Sequence, residues 1–110
     1  MERIDYRDLI EKIINQHVNP ENLHDTATDR VVFDRERDSY LLLYVGWHGE
    51  ERIYGVSIHI EIQDGKIWIQ QDFTEEGIAN QLVESGVPKT DIVLGFRAPI
   101  VRQFTGFALA

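Results

Sequence analysis

His59 and Glu61 are the two residues of this 110-residue sequence whose types and spacing come closest to a chemical site. They lie two positions apart in a segment that alternates apolar and polar residues, so a β-strand would place both side chains on one face. An imidazole beside a carboxylate can act as a general acid–base pair or supply two ligands to a metal ion. Because the sequence places no nucleophile or third ligand beside them, we favour a half-solvated polar face. A small enzyme that uses His59 and Glu61 is kept as an alternative.

Other kinds of catalysis need residues or motifs that this sequence lacks. It contains no cysteine, which excludes disulfides, thiolate zinc sites and cysteine nucleophiles. Its serines have no Gly-x-Ser-x-Gly context, and its glycines form neither a Gly-x-Gly-x-x-Gly motif nor a phosphate-binding loop. We therefore expect a protein that is not an enzyme, with no catalytic residues, no metal and no cofactor.

The charge balance argues against nucleic acid as the main partner. The sequence has 19 acidic and 11 basic residues, and its net charge is −8 with neutral histidines. Duplex DNA and anionic membranes attract basic surfaces, so we expect weak or no direct nucleic-acid binding and no membrane binding. Arg97 and Arg102 lie in a C-terminal stretch without acids and are the candidate nucleic-acid contact. An accessory protein that binds nucleic acid through this tail is a second alternative.

Length and hydropathy indicate one domain over residues 1–110. The chain is near the usual size of a single domain, and 43% of its residues are hydrophobic, enough for one compact core. No apolar run approaches the about 18 residues that a membrane-spanning helix needs. The first residues, Met-Glu-Arg-Ile-Asp, lack the charged-then-apolar layout of a signal peptide, so we expect a cytoplasmic location.

Residue periodicity predicts an α+β fold: an N-terminal helix, a four-stranded antiparallel meander, and C-terminal helices packed on one face. Apolar residues at helical spacing predict a helix from Ile4 to about Val18, before Asn19-Pro20, and the polar segment Glu21 to Thr28 is typical of a loop. The strands are predicted over Asp29–Asp34, Tyr40–Trp47, Ile53–Gln63 and Lys66–Gln71.

Turn and capping residues predict how the remaining elements are joined. Asp64-Gly65 is typical of a type I′ hairpin turn. Thr74 is expected to cap a helix that ends at Gly86. A short helical turn is predicted from Pro88 to Leu94, and the stretch from Phe96 to Ala110 should pack back onto the domain.

The second predicted strand is apolar on both faces. A helix can cover only one face, so the other must be covered by the C-terminal tail, by a second copy of the chain or by a partner. Tyrosine and tryptophan are enriched at the centres of protein interfaces. Tyr40, Tyr44 and Trp47 are therefore the candidate partner interface, with Tyr40 and Tyr44 as its anchors.

Several segments after residue 32 match the motifs of one known family. They are Phe33-Asp34-x-Glu36-Arg37-Asp38-x-Tyr40, Leu43-Tyr44-Val45-Gly46-Trp47, Asp64-Gly65-Lys66-Ile67-Trp68-Ile69-Gln70-Gln71-Asp72 and Arg102-Gln103-Phe104-Thr105-Gly106-Phe107-Ala108. In these segments the sequence resembles the fdxN element excision controlling factor (XisI-like) family, which is known from cyanobacteria.

The resemblance implies a role without assigning chemistry to particular residues. Members of this family are named for helping a site-specific recombinase to excise a DNA element during heterocyst development. A second accessory protein, XisH, which looks nuclease-like, commonly accompanies them. The resemblance therefore implies a non-enzymatic accessory factor that acts through contacts with an XisH-like protein. The recombinase and a second copy of the chain are further candidate partners.

Overall fold

The structure, a computed structural model, describes residues 3–19 and 27–110. In these residues the elements are, in chain order, α1 (Tyr6–His17), β1 (Ala27–Asp34), β2 (Ser39–His48), β3 (Glu51–Gln63), β4 (Lys66–Asp72), α2 (Ile78–Glu84), a 3₁₀ turn (Lys89–Asp91), β5 (Ile92–Leu94) and α3 (Pro99–Arg102). Most of the predicted loop Glu21–Thr28 lies outside the described residues. Its last two residues, Ala27 and Thr28, already belong to β1.

The strands form one five-stranded mixed sheet in the order β1-β2-β3-β4-β5. The first four form the predicted antiparallel meander. β5 then lies parallel to β4, with Ile92 opposite Ile67 and Leu94 opposite Ile69. The prediction of four antiparallel strands is therefore wrong in one respect. The predicted helical turn Pro88–Leu94 is helical only over Lys89–Asp91, because the apolar residues after it are buried along the edge of β4.

Both longer helices pack on the same face of the sheet, which we call the covered face. Asp5 caps α1, since its side chain accepts hydrogen bonds from the backbone N–H groups of Arg7 at 2.9 Å and Asp8 at 3.2 Å. The core residues of the helices and of the covered face are almost fully buried: Ile10, Ile13, Ile14, Tyr40, Leu42, Ile58, Ile60, Ile67, Ile69, Ile78, Leu82 and Ile92. α3 contributes no buried residue to this core.

α2 begins later than predicted, at Ile78, and its N-cap residue is Gly77 rather than Thr74. The Asp72 carboxylate accepts hydrogen bonds from the Ile78 backbone N–H at 2.7 Å and from the Thr74 hydroxyl at 2.6 Å. Thr74 therefore lies in the connection before the helix, and the helix follows Gly77, whose φ is 88°. The predicted end of α2 is confirmed, because Gly86 has φ 101° and follows the last turn.

A β-bulge changes which residues of β3 face the core. Leu42 is opposite Ile58, but the next residue, Leu43, is opposite Val56, so Ser57 has no place in the β2 register. The extra residue shifts the alternation of side chains by one position. Tyr54 and Val56 therefore point to the face opposite the one that Ile58 and Ile60 occupy. Uninterrupted alternation of apolar and polar residues, which would place Tyr54 on the same face as Ile58, therefore does not hold for the first part of β3.

Candidate functional site

His59 and Glu61 lie side by side on the face of the sheet opposite the helices. His59 Nε2 is 4.0 Å from Glu61 Oε2, and both side chains are about 30% exposed. His59 Nε2 is also 3.2 Å from the Ser39 hydroxyl, across the β2–β3 pair. Glu61 Oε1 accepts hydrogen bonds from Gln70 Nε2 at 2.9 Å and Gln63 Nε2 at 3.3 Å. The prediction that the two residues share one face is therefore confirmed.

The neighbours of His59 and Glu61 are hydroxyl and amide groups that satisfy them. Ser39 and the two glutamines hydrogen-bond to the pair, but none of these side chains is an ordinary metal ligand. Within residues 3–19 and 27–110, no group of three or more histidine, aspartate and glutamate side chains could hold a metal ion. This geometry favours the interpretation of a half-solvated polar face.

Tyr40 belongs to the core and does not lie on an accessible surface. Its side chain is fully buried, because α1 packs on the face of β2 that bears Tyr40 and Leu42. Its hydroxyl donates a hydrogen bond to Asp38 Oδ1 at 3.0 Å. Burial, followed by this hydrogen bond, raises the pKa of Tyr40 to about 12. In this conformation Tyr40 offers no surface to a partner, which corrects its proposed role as an interface anchor.

Tyr44 and Trp47 lie on opposite faces of β2. Tyr44 is half-buried on the covered face, and its ring crosses Gly55 so closely that a methyl group at Gly55 would overlap it. Trp47 is 56% exposed on the other face. Their role in an interface stays a prediction, but the two cannot belong to one flat patch.

The bulge in β3 brings an unpredicted residue next to Trp47. Tyr54 is 63% exposed, on the same face as Trp47. The Arg52 guanidinium lies between them, 5.0 Å from the Trp47 ring and 5.9 Å from the Tyr54 ring. Strict alternation along the strand would place Tyr54 on the face of Ile58, and Gly55, a glycine inside the strand, is the one sequence signal near the bulge. These three side chains form a cationic and aromatic group at the end of the β2–β3 hairpin.

The two candidate arginines of the C-terminal segment differ in their contacts. Arg102 Nε donates to the Arg97 carbonyl at 3.0 Å, and its other nitrogens donate to the Gly95 and Leu109 carbonyls, each at 3.5 Å. The Arg102 guanidinium also lies 5.2 Å from the centre of the Trp68 ring. The Arg97 guanidinium, in contrast, lies 5.1 Å from the ring of its neighbour Phe96. Arg102 is therefore engaged in holding the segment in place.

The C-terminal segment packs back onto the domain only in part, leaving an apolar surface exposed. The Ala108 N–H donates to the Ile92 carbonyl at 2.9 Å, and Phe107 packs against the core. Phe104, however, is 80% exposed, and Ile100 is 73% exposed. We define the C-terminal surface as the exposed apolar residues Phe96, Ile100, Val101, Phe104 and Leu109.

These observations define a small α+β protein with a helix-covered sheet face and two exposed surfaces rich in aromatic residues. The family model described as XisI protein matches residues 1–109. The chain therefore belongs to the XisI protein family, and the resemblance inferred from its motifs is confirmed. Among the helices that the structure describes, none is long and apolar enough to cross a membrane.

Two solved structures are similar to this chain over nearly its whole length. An XisI-like protein from Anabaena variabilis ATCC 29413 is 40% identical, with a TM-score of 0.89 and coverage of 96% of each chain. The fdxN element excision controlling factor XisI from the same organism is 42% identical, with a TM-score of 0.84 and coverage of 96% of each chain. No curated protein matches the sequence.

Proposed function

We propose that this chain is a non-enzymatic accessory factor for excision of a DNA element by a site-specific recombinase. One observation carries the proposal: the chain is 42% identical, over 96% of its length, to a protein described as the fdxN element excision controlling factor XisI. The match of residues 1–109 to the XisI family model supports the same role. The hydrogen-bonded arrangement of His59 and Glu61 favours a structural task for these two residues.

We propose further that the factor acts through contacts with an XisH-like protein. The C-terminal surface supports this, because one short segment that exposes several large apolar side chains is typical of protein interaction sites. The net charge of −8 supports protein contacts over direct DNA binding, since a duplex would repel most of the surface. An acidic subunit of this kind could instead cover a basic face of its partner. Contact with the recombinase and a cytoplasmic location remain predictions.

Co-expression with an XisH-like protein, followed by size-exclusion chromatography, tests the proposed contact. The two proteins should elute together at a mass above that of either alone. An excision assay on a plasmid that carries the element tests the role itself. Excision by the recombinase should fall when this chain is left out and recover when it is added back. Separate elution would contradict the contact, and excision independent of the chain would contradict the role.

A further inference from the structure

β3 extends well beyond the strand that borders it on one side. Its register with β2 continues to Glu51, whereas its register with β4 begins only at Ile58, opposite Asp72. The Ser57 carbonyl still accepts a hydrogen bond from the Phe73 N–H at 2.9 Å, and the Val56 carbonyl accepts one from the Gln71 side chain. In the part of the chain that the structure describes, no strand borders Glu51–Gly55 on this side. We call this stretch the free edge.

In the described residues, the free edge is only weakly protected against pairing with another strand. Natural edges are protected by lysine and other charged residues, by proline, by β-bulges, by short length, or by a covering loop or helix. The stretch Glu51-Arg52-Ile53-Tyr54-Gly55 contains neither lysine nor proline; its charged residues are Glu51 and Arg52, and the bulge at Ser57 lies beyond its end. Two large aromatic side chains beside it are exposed, Tyr54 by 63% and Phe73 by 71%, whereas Trp47 lies one strand away on β2. An edge without lysine or proline and with exposed aromatic groups beside it is suited to take up another extended strand.

We propose that the free edge pairs with the same edge of a second copy of this chain, antiparallel about a two-fold axis at Ile53. This pairing would join the two sheets into one continuous sheet. It places Arg52 of each copy opposite Tyr54 of the other, and Glu51 opposite Gly55. A closed two-fold contact of this kind uses the same surface on both copies and stops at a dimer.

Charge selects this register over its neighbours. Arg52 already lies near two aromatic rings of its own chain, and an axis at Ile53 would bring it a third, from Tyr54 of the second copy. An axis at Arg52 would instead place two guanidinium groups directly opposite each other, which is destabilising. An axis at Tyr54 would place Arg52 opposite Val56, whose aliphatic side chain offers the guanidinium neither an aromatic ring nor a negative charge. With the axis at Ile53, the two Glu51 side chains stand about 13 Å apart along the strands, so they do not repel each other strongly.

The surface is large enough for a specific dimer. An aromatic side chain buries about 150–250 Å² when fully covered, so Tyr54 and Phe73, each more than half exposed, offer roughly 250 Å² per copy. With the backbone edge and the side chains of Arg52 and Ile53, two copies together reach about 1,000 Å², where specific interfaces begin. The edge along β1 also carries one acidic and one basic residue, Asp29 and Arg30, but it has no exposed aromatic side chain among the described residues.

Single-cysteine crosslinking tests both the pairing and its register, because the chain has no cysteine of its own. Two Ile53 residues facing each other across an antiparallel pair would have Cα atoms about 5 Å apart, within the range that a disulfide spans. The Ile53→Cys variant should therefore form a covalent dimer under mild oxidation or with a short thiol crosslinker. Val32→Cys, an exposed position on β1, is the matched control and should stay monomeric on denaturing gels. Equal crosslinking of the two variants, or none by Ile53→Cys, would overturn the proposal.

Light scattering of the unmodified chain gives an independent test. The wild-type protein should have the mass of a dimer at micromolar concentration, and Arg52→Glu should raise the dimer dissociation constant at least tenfold. Arg37→Glu changes the charge equally at a side chain that is 78% exposed and far along the sheet from the free edge, so it should leave the dimer intact. A wild-type monomer at 100 μM would overturn the proposal. Binding of that monomer to the XisH-like protein would still support the proposed function, so the two failures are distinguishable.

Discussion

The Arg102 side chain holds the C-terminal segment against the sheet by contacting an aromatic ring and by donating hydrogen bonds to backbone carbonyls. Its guanidinium stacks near Trp68 and donates to three carbonyls of the segment. We predict that Arg102→Ala releases the segment, so that a protease cuts after residue 95 faster than in the wild type. In a Trp47→Phe background, the fluorescence of the remaining tryptophan, Trp68, should shift to longer wavelength.

Arg97→Ala is the matched control for this prediction. Arg97 has the same charge and lies in the same segment, but its guanidinium rests on Phe96. Its removal should leave both the cleavage rate and the Trp68 emission as they are in the wild type. Equal protease sensitivity of the two variants would show that the segment does not depend on Arg102.

Asp38 links the first helix to the sheet through a charged hydrogen-bond group. Its carboxylate accepts from Arg7 Nε at 2.6 Å and Nη2 at 3.1 Å, and from the Tyr40 hydroxyl at 3.0 Å. The hydrogen bonds from Arg7 and then Tyr40 hold the pKa of Asp38 below its usual value, although partial burial opposes them. Because the folded pKa is the lower one, this group stabilises the fold above the unfolded pKa of about 4. That contribution is lost as the pH falls through the folded pKa.

We predict that Asp38→Asn lowers the free energy of unfolding by about 1–2 kcal/mol at neutral pH, since it weakens charged hydrogen bonds. Asparagine tolerates the left-handed backbone of Asp38, whose φ is 51°, so the turn itself should survive. The difference between wild type and variant should shrink as the pH is lowered from 5 to 2. Urea unfolding at several pH values measures it, and a difference that grows on acidification would contradict the assigned role.

The turn between β3 and β4 is stabilised by the backbone conformation of its two central residues, not by side-chain packing. Asp64 and Gly65 both have positive φ, 52° and 77°, which confirms the predicted type I′ turn. A side chain at Gly65 would meet no neighbouring atom within 4 Å, so any cost of substitution arises from the backbone. We predict that Gly65→Val destabilises the protein by about 1–2 kcal/mol and that Gly65→Asn costs less. Thermal melting measures both, and an unchanged melting temperature for Gly65→Val would contradict the turn assignment.

Local sequence signals predicted most of the helices, strands and turns. The features that they did not predict depend on contacts between residues far apart in the sequence. The α1 stripe, the four antiparallel strands and the Asp64-Gly65 turn all follow from nearby residues. β5 has only three residues and exists because it joins β4, which no local pattern reports. The bulge at Ser57 is a matter of register between two strands. It moved Tyr54 to the exposed face, so the aromatic group at the hairpin end could not be predicted from alternation.

Charge is distributed unevenly over the whole molecule. All 19 acidic residues precede Phe96, and the segment after them carries only Arg97 and Arg102. Since Arg102 is engaged with Trp68 and backbone carbonyls, Arg97 is the more available cation of the two. One contact between an arginine and a phosphate changes the slope of the logarithm of the binding constant against the logarithm of the salt concentration by only about one.

We therefore predict that the isolated chain binds duplex DNA with a dissociation constant weaker than about 10 μM at physiological salt. Gel shifts or fluorescence anisotropy at several salt concentrations measure it. Arg97→Ala should change this weak binding little, and it is the cleaner variant because Arg102→Ala is expected to release the segment. Submicromolar binding that weakens with salt and is lost in Arg97→Ala would favour the nucleic-acid-binding alternative.

The two exposed surfaces should serve different partners if both proposals hold. The free edge of β3 presents a backbone edge, which suits a second strand, whereas the C-terminal surface presents side chains on an ordered segment. Phe104 is 80% exposed and is not part of the core, so Phe104→Ala should leave the melting temperature unchanged. We predict that it weakens binding of the XisH-like protein by about 2 kcal/mol, the usual cost of removing a central aromatic residue from an interface.

Two controls make this last prediction specific to the C-terminal surface. Val32→Ala removes an exposed apolar side chain from β1 and should leave partner binding unchanged. Arg52→Glu should weaken the dimer without changing the affinity of each chain for the XisH-like protein, because Arg52 lies with Trp47 and Tyr54 at the end of the β2–β3 hairpin. Calorimetric titration of each variant with the XisH-like protein measures these effects. If Phe104→Ala binds as tightly as the wild type while Arg52→Glu does not, the hairpin end is the partner surface and the assignment of the C-terminal surface is wrong.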